Sequence, residues 1–336
     1  MLILTTKNKM ITDRIIDLIA ELKSFKGKRI GVISHVRPDA DCIGAQVALC
    51  RWLTMHGIDV KAFNDDELSP NLKWMNDHFP IAKTTLKSVR ACEGYVFVDG
   101  NHPSRFGRAG EIAEKMGHPV YLIDHHPDPA DFYKISISDV TASSTCELVY
   151  EIFAQTPGNL DLQSAEAIYA GIMTDTGSFR FDSVTWRTHA AVADLIKSTG
   201  LQTEPIHRRI YDGKSLNQIH LLASVLGSIE LKYDDQLASI RITKKMLATH
   251  KSQYHDLEGM VNYGLSITGV KAAVLFCEMN DRVKLSFRSA SDIDVNVWAR
   301  SFNGGGHVKA SGGWYDGGLD EAIEKVLEVG AKQLKL

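Results

Sequence analysis

Through the first 200 residues, short apolar runs alternate with amphipathic helical stretches, and this alternation restricts the fold more than any other feature. Arg29–Ser34, Asp59–Phe63, Tyr95–Val98 and Val120–Ile123 read as short buried strands. Helical patterns lie between and after them. Ile15, Ile16, Leu18, Ile19 and Leu22 mark a helix over Ile11–Lys23, with Gly27 as its stop. Ala45, Ala48, Leu49, Trp52 and Leu53 form one face of a second helix, ended by Gly57. Ser144 and Glu147 make a capping-box pattern that opens a helix through Phe153. Asp161 and Thr185 cap two more, the last ended by Gly200. Strands separated by helices pair in parallel and bury both faces of their sheet. The expected class is therefore α/β.

A chain of 336 residues exceeds one ordinary core, so two domains are expected. The pattern becomes a polar, helix-prone connector over 201–224. Strand-like runs follow at Leu237–Thr243, Val270–Cys277 and Val283–Arg288, then helices at Val295–Phe302 and Asp320–Leu334. The expectation is a parallel-sheet domain with flanking helices over 1–200, a linker over 201–224, and a smaller α/β domain over 225–336. With 44% hydrophobic and 24% charged residues, the chain is not a disordered one. No run approaches ~18 apolar residues, so no membrane span is expected. The opening MLILTTKNKM has too few apolar residues for a signal-peptide core. Five cysteines without paired spacing read as reduced thiols in a cytoplasm. Lysine and arginine number 38 against 41 acidic residues, a net charge of −3. No basic stripe is visible, which disfavours long duplex nucleic acid but leaves room for a short anionic substrate held by metals.

Four segments carry chemistry, each near the end of an expected element. Ser34-His35-Val36-Arg37-Pro38-Asp39-Ala40-Asp41 supplies one imidazole and two carboxylates, and Pro38 keeps Arg37 out of helix. Val98-Asp99-Gly100 places an acid at a strand end. Ile123-Asp124-His125-His126-Pro127 places an acid and two imidazoles after another strand. Gly171-Ile-Met-Thr174-Asp175-Thr176-Gly177 sets an acid where a helix meets a glycine. In an open α/β sheet, ligands bind beyond the carboxyl ends of the strands. Taken singly, a strand-end acid is more often a turn or helix cap than a ligand, and for Asp39 and Asp41 loop solvation or helix capping is an even rival. Together they would put five carboxylates in one crevice, and two divalent cations at +4 nearly cancel that −5. Carboxylate with imidazole suits Mn²⁺, Mg²⁺, Fe²⁺ or Zn²⁺. Histidines 56, 78, 102, 118, 189, 207, 220, 250 and 255 lack such partners and read as solvated or packing residues.

The ordered set His35-x-x-x-Asp39-x-Asp41, Asp99, Asp124-His125-His126 and the Asp175 of T-D-T-G resembles the DHH phosphoesterase family. Gly304-Gly-Gly-His307 followed by Ala310-Ser-Gly-Gly resembles the associated DHHA1 domain. Within that family, the chain resembles the bacterial nano-RNase and pAp-phosphatase branch. The resemblance implies two divalent ions, Mn²⁺ in this branch, acting on short oligoribonucleotides and 3′-phosphoadenosine 5′-phosphate in the cytoplasm. It implies that His35 and Asp39 hold one ion, that Asp41, His125 and Asp175 hold the other, and that Asp99 bridges both. Asp99, Asp124 and His126 would be catalytic, with His126 at the scissile phosphate and Asp124 orienting the imidazoles. Gly304, Gly305, Gly306 and His307 would bind the nucleotide end, and Arg288 a phosphate. Arg180 is a weaker lining candidate.

Two cations that lower the pKa of a shared water would generate a hydroxide for in-line attack on phosphorus. Rival readings are a cyclic- or linear-dinucleotide phosphodiesterase, a polyphosphatase and a non-catalytic nucleotide sensor. The branch suggests a homodimer, for which the sequence shows no heptad or exposed seam. No long duplex and no membrane partner is expected.

Overall fold

The computed structural model describes residues 6–257, 259–290 and 292–334. The first four residues, which carry the apolar part of the excluded signal-peptide pattern, lie outside the described residues. The chain divides into two compact units, Met1–Asp212 and Gly213–Leu336.

In the first unit, six strands form one sheet: β1 (Arg29–Ser34), β2 (Asp59–Asn64), β3 (Ile81–Lys83), β4 (Gly94–Val98), β5 (Val120–Asp124) and β6 (Ile135–Ser138). Their order is β3-β2-β1-β4-β5-β6 and every pairing is parallel. The strand order reverses between β1 and β4, which creates the crevice where such sheets bind ligands. Among the described residues, nine helices accompany the sheet: α1 (Thr6–Lys23), α2 (Ala40–Met55), α3 (Met75–His78), α4 (Leu86–Arg90), α5 (Gly107–Glu114), α6 (Thr145–Ala154), α7 (Leu162–Asp175), α8 (Trp186–Thr199) and α9 (Thr203–Tyr211). Alternate residues of each central strand enter different cores. Ile30, Val32, Val96, Val98, Tyr121 and Ile123 join α1, α2, α6 and α7 on one face. Ile33, Tyr95, Phe97 and Leu122 join Ala109 and Ile112 of α5 on the other. Burial on both faces explains why these strands read as continuous apolar runs.

The expected α/β class holds. Edge strands β3 and β6 escape the sequence reading because short edge strands carry little apolar signal. The capping box at Ser144 is only half formed. Ser144 accepts from the Glu147 N–H, but the Glu147 carboxylate accepts instead from Ser143 and Thr188.

The second unit holds α10 (Leu216–Leu226), β7 (Glu230–Lys232), β8 (Leu237–Ile242), α11 (Lys244–Thr249), α12 (Asn262–Leu265), β9 (Ala272–Glu278), β10 (Arg282–Ser289), α13 (Val295–Arg300), β11 (Gly305–Gly306), β12 (Ala310–Asp316) and α14 (Leu319–Leu334). Its sheet runs β11-β12-β10-β9-β8-β7, antiparallel except for the β8–β9 pair. Strand β12 was legible only as a motif, since glycine is poor strand material. The expected 201–224 linker is divided between the two units. Ile206 and Ile210 of α9 are buried in the first core, whereas Leu221 and Val225 of α10 are buried in a core of the second. Amphipathic helices bury their apolar stripes wherever a core is adjacent, and a polar face does not reveal which core that is. Among the described residues, no helix is long and apolar enough to cross a membrane.

Candidate active site

The site grows out of the carboxyl ends of β1, β4 and β5. Ser34 and Val98 are register partners across β1 and β4, so His35 and Asp99 leave the sheet side by side. The Asp99 N–H donates to Ile123 O at 3.0 Å, which ties it to β5 and brings it beside Asp124-His125-His126. Asp99 has φ 63 and Arg37 φ 56, both in the left-handed region that non-glycine residues seldom adopt. Pro38 favours an extended Arg37. The observed left-handed turn is held by the Asp66 carboxylate, which accepts from the Arg37 N–H at 2.6 Å. Asp39 caps α2, accepting from the N–H groups of Asp41 and Cys42.

Asp99 is the hub. Its Oδ2 lies 3.3 Å from His35 Nε2, and its Oδ1 lies 3.7 Å from His125 Nε2 and 3.6 Å from His126 Nδ1. His35 Nε2 is also 3.7 Å from Asp39 Oδ2, and His125 Nε2 is 3.4 Å from Asp175 Oδ2. Asp41, His125 and Asp175 form one group of closely spaced donor atoms, and His35, Asp39 and Asp99 belong to another. All six expected metal ligands therefore converge in one neighbourhood, with Asp99 shared. His126 and Asp124 join them: Asp124 Oδ1 accepts from His126 Nδ1–H at 2.7 Å. His35 Nδ1 donates to Val36 O at 2.9 Å, so the neutral ring carries its lone pair on Nε2, toward the carboxylates.

Two residues that the sequence reading missed hold the acids in place. Thr145 Oγ1 donates to Asp99 Oδ1 at 2.9 Å. The N–H groups of Thr145 and Cys146, at the start of α6, donate to the two oxygens of Asp41 at 2.7 and 2.9 Å. A helix N-terminus is a natural seat for a carboxylate. Helix α7 approaches this point closely because Gly171 has no side chain. A Cβ there would lie 2.8 Å from Asp41 Oδ1 and 2.3 Å from Cys146 Sγ. The S-S-T-C run before Glu147 was the available signal, but it read as a helix cap.

Protons report what the site demands. Burial raises Asp41 to about 7, aided by the charge of Asp99. Burial and the charge of Asp41 hold Asp175 well above the usual carboxylate range. Burial opposes charge on His125, yet Asp175, Asp99 and Asp41 lift it to about 9. His35 is likewise lifted against burial, by Cys42 and by the hydrogen bonds it donates to the carboxylates of Asp39 and Asp99. Burial works against ionised Asp99 too, but the imidazoles, His35 foremost, hold it far below the usual range. Asp124 Oδ2 is buried without a hydrogen-bond partner. Raised values at Asp41, Asp175, His35 and His125 mark a crowd of acids whose negative potential cations would satisfy. The clustered oxygen and nitrogen donors fit divalent ions.

The remaining expected residues lie in the second unit. Arg288 of β10 pairs in register with Ala310 of β12, and His307 exchanges backbone hydrogen bonds with Ala310 at 2.8 and 3.2 Å. Arg288 and His307 thus share one end of that sheet. Gly305, Gly306 and His307 are exposed. Gly304 has a packing role as well: a Cβ there would sit 2.1 Å from Gly312 O. Arg180 is exposed, its guanidinium 5.7 Å from the Phe181 ring centroid.

Residues 29–172 match the DHH family N-terminal domain, and 243–335 match the DHHA1 domain. The chain is 29% identical to the bifunctional oligoribonuclease and PAP phosphatase NrnA of Bacillus subtilis, over 83% of this chain and 86% of that protein. It is 30% identical to an uncharacterized protein of Mycoplasma pneumoniae, over 88% of each. The crystal structure of an exopolyphosphatase-related protein from Bacteroides fragilis superposes with a TM-score of 0.89 at 30% identity, over 96% of this chain and 97% of that one. With both domains matched in order and these relatives aligned over most of their length, the chain belongs to the DHH family.

Proposed function

We propose that this protein is a divalent-metal phosphoesterase that hydrolyses short oligoribonucleotides and 3′-phosphoadenosine 5′-phosphate. The observation that carries the reading is the convergence of six metal-type donor residues in one neighbourhood, where Asp99 lies beside the imidazoles of both groups. The likeness to NrnA, named for both activities, directs the choice of substrate. His35 and Asp39 would hold one ion, Asp41, His125 and Asp175 the other, and Asp99 both. Mn²⁺ is the ion proposed. When bound, two such ions supply a nucleophile at neutral pH and offset the charge of the phosphate.

The chain's own residues do the rest. Thr145 fixes the rotamer of Asp99, and the start of α6 fixes Asp41, so the acids are preorganised. Asp124 accepts from His126 Nδ1, which fixes that ring's orientation and leaves Nε2 to hold or donate a proton at the leaving oxygen. In the second unit, Arg288 would bind a phosphate and the Gly304–His307 turn a nucleotide. A net charge of −3 gives no support for gripping long duplexes. Five free, buried cysteines agree with a reducing compartment such as the cytoplasm.

The test is product release from pAp, diribonucleotides, cyclic dinucleotides and polyphosphate, with Mn²⁺ and then with chelator. The expected result is mononucleotide from diribonucleotides and phosphate from pAp, both abolished by chelator. Release confined to polyphosphate, or none at all, would overturn the reading.

A further inference from the structure

The neighbourhood of Asp99 contains a donor of different chemistry from the rest. Cys42 lies in the first turn of α2, directly after Asp41, and is fully buried. Its Sγ, a His35 ring nitrogen and one carboxylate oxygen each from Asp39 and Asp99 all lie within 4.8 Å of one another. The His35–Asp99 and His35–Asp39 separations are 3.3 and 3.7 Å. A tetrahedral ion with bonds of about 2.0–2.3 Å needs ligand–ligand edges of about 3.3–3.8 Å. Three donors already stand at such edges, and the sulfur occupies the same group. It donates a long, weak thiol hydrogen bond to Asp39 O at 3.5 Å and also lies within hydrogen-bond reach of the His35 ring.

The other four cysteines set the contrast. Cys50, Cys92, Cys146 and Cys277 are buried too, and among the described residues none joins a group of metal-type donors. The partner position, built from Asp41, His125 and Asp175, contains only nitrogen and oxygen. The two metal positions therefore differ in softness.

We propose that Cys42 donates its sulfur to the ion held by His35, Asp39 and Asp99, and biases that position toward thiophilic divalent ions such as Fe²⁺, Co²⁺ or Zn²⁺ over Mg²⁺. The inference rests on the two-metal reading above and deepens it. Thiolate favours such ions and disfavours Mg²⁺ most strongly, while leaving Mn²⁺ able to bind; all-oxygen and imidazole sets accommodate both Mg²⁺ and Mn²⁺. Coordination replaces the Sγ proton, which leaves to solvent.

The experiment is a Co²⁺ titration of the full-length, chelator-stripped protein followed by absorption spectroscopy. The expected result is a near-ultraviolet thiolate-to-cobalt charge-transfer band that saturates at one ion per chain. The band is lost in Cys42→Ser and kept in Cys146→Ser, with folding of each checked by circular dichroism. Cys42→Ser should also weaken Co²⁺ binding by about tenfold or more, a loss typical of altered metal surroundings, with a much smaller change for Mg²⁺. Should Cys42→Ser not fold, Cys42→Ala and alkylation protection of Cys42 by bound Co²⁺ give the same readout. Cobalt binding without the band, or a band that survives in the Cys42 variants, overturns the inference and leaves the two-metal reading standing. Failure to bind any divalent ion overturns both.

Discussion

At the scale of single residues, the site separates groups that would hold ions from groups that position or transfer protons. Asp99 touches both donor groups, so Asp99→Asn should abolish binding at both positions, read as metal stoichiometry by calorimetry. His126 is paired with Asp124 rather than with the ligand acids at closest range. His126→Asn should lower kcat by about 10²–10⁴-fold, the ordinary worth of a general acid, while metal content stays unchanged. A parallel loss of metal would reassign His126 as a ligand. Thr145→Val removes the 2.9 Å hydrogen bond to Asp99 and should cost about 10–100-fold in metal affinity, with Thr145→Ser restoring it. His35, Asp39, Asp99 and His125 were legible because they follow strand-like runs or stand in a Pro-shaped loop. Thr145 was not, because its hydroxyl acquires meaning only when α6 meets β4, 46 residues away in sequence.

At the scale of elements, the acids are held by the close approach of three helices. Gly44 on α2 and Gly171 on α7 both face Cys146 of α6, and a Cβ on Gly44 would lie 2.4 Å from Ala167 O. Helices meeting at glycine backbones bring the start of α6 within hydrogen-bond reach of Asp41. Gly171→Ala should therefore destabilise the protein by about 1–3 kcal/mol, as overpacking does, and also weaken metal binding by displacing Asp41. Urea denaturation and a metal titration on one preparation check both effects. Normal stability with normal affinity would show that α7 yields without moving Asp41. The Ser144–Glu147 pattern illustrates the limit of local reading. The cap forms, but the buried Glu147 carboxylate turns to Ser143 and Thr188, and so locks the turn that carries Thr145.

At the scale of the whole molecule, the crowded acids couple metal, protons and stability. Asp41 at about 7 and His125 at about 9 bind more protons folded than unfolded, as do Asp175 and His35. Groups with raised values stabilise the fold at low pH and lose that contribution as pH rises through them. Asp39 and Asp99 have the opposite sign, but their window lies in strong acid. The metal-free protein should therefore lose stability as pH climbs through about 7 to 9, measured as a falling urea midpoint. Saturating Mn²⁺ should remove that slope and add about 2.7 kcal/mol per ion bound at a hundredfold excess over its Kd. A melt indifferent to both chelator and pH would contradict the coupling.

Residue order alone carried the alternation of strand and helix, the parallel sheet, and the six candidate donors. Those properties reside in local periodicity and in residues at the ends of apolar runs. The 3-2-1-4-5-6 strand order, the division of 201–224 between two cores, and the contacts of Thr145, Gly171 and Cys42 emerge from the packed fold. The reason is physical: a donor's chemistry belongs to its side chain, whereas the distance between donors depends on which buried surfaces pack together.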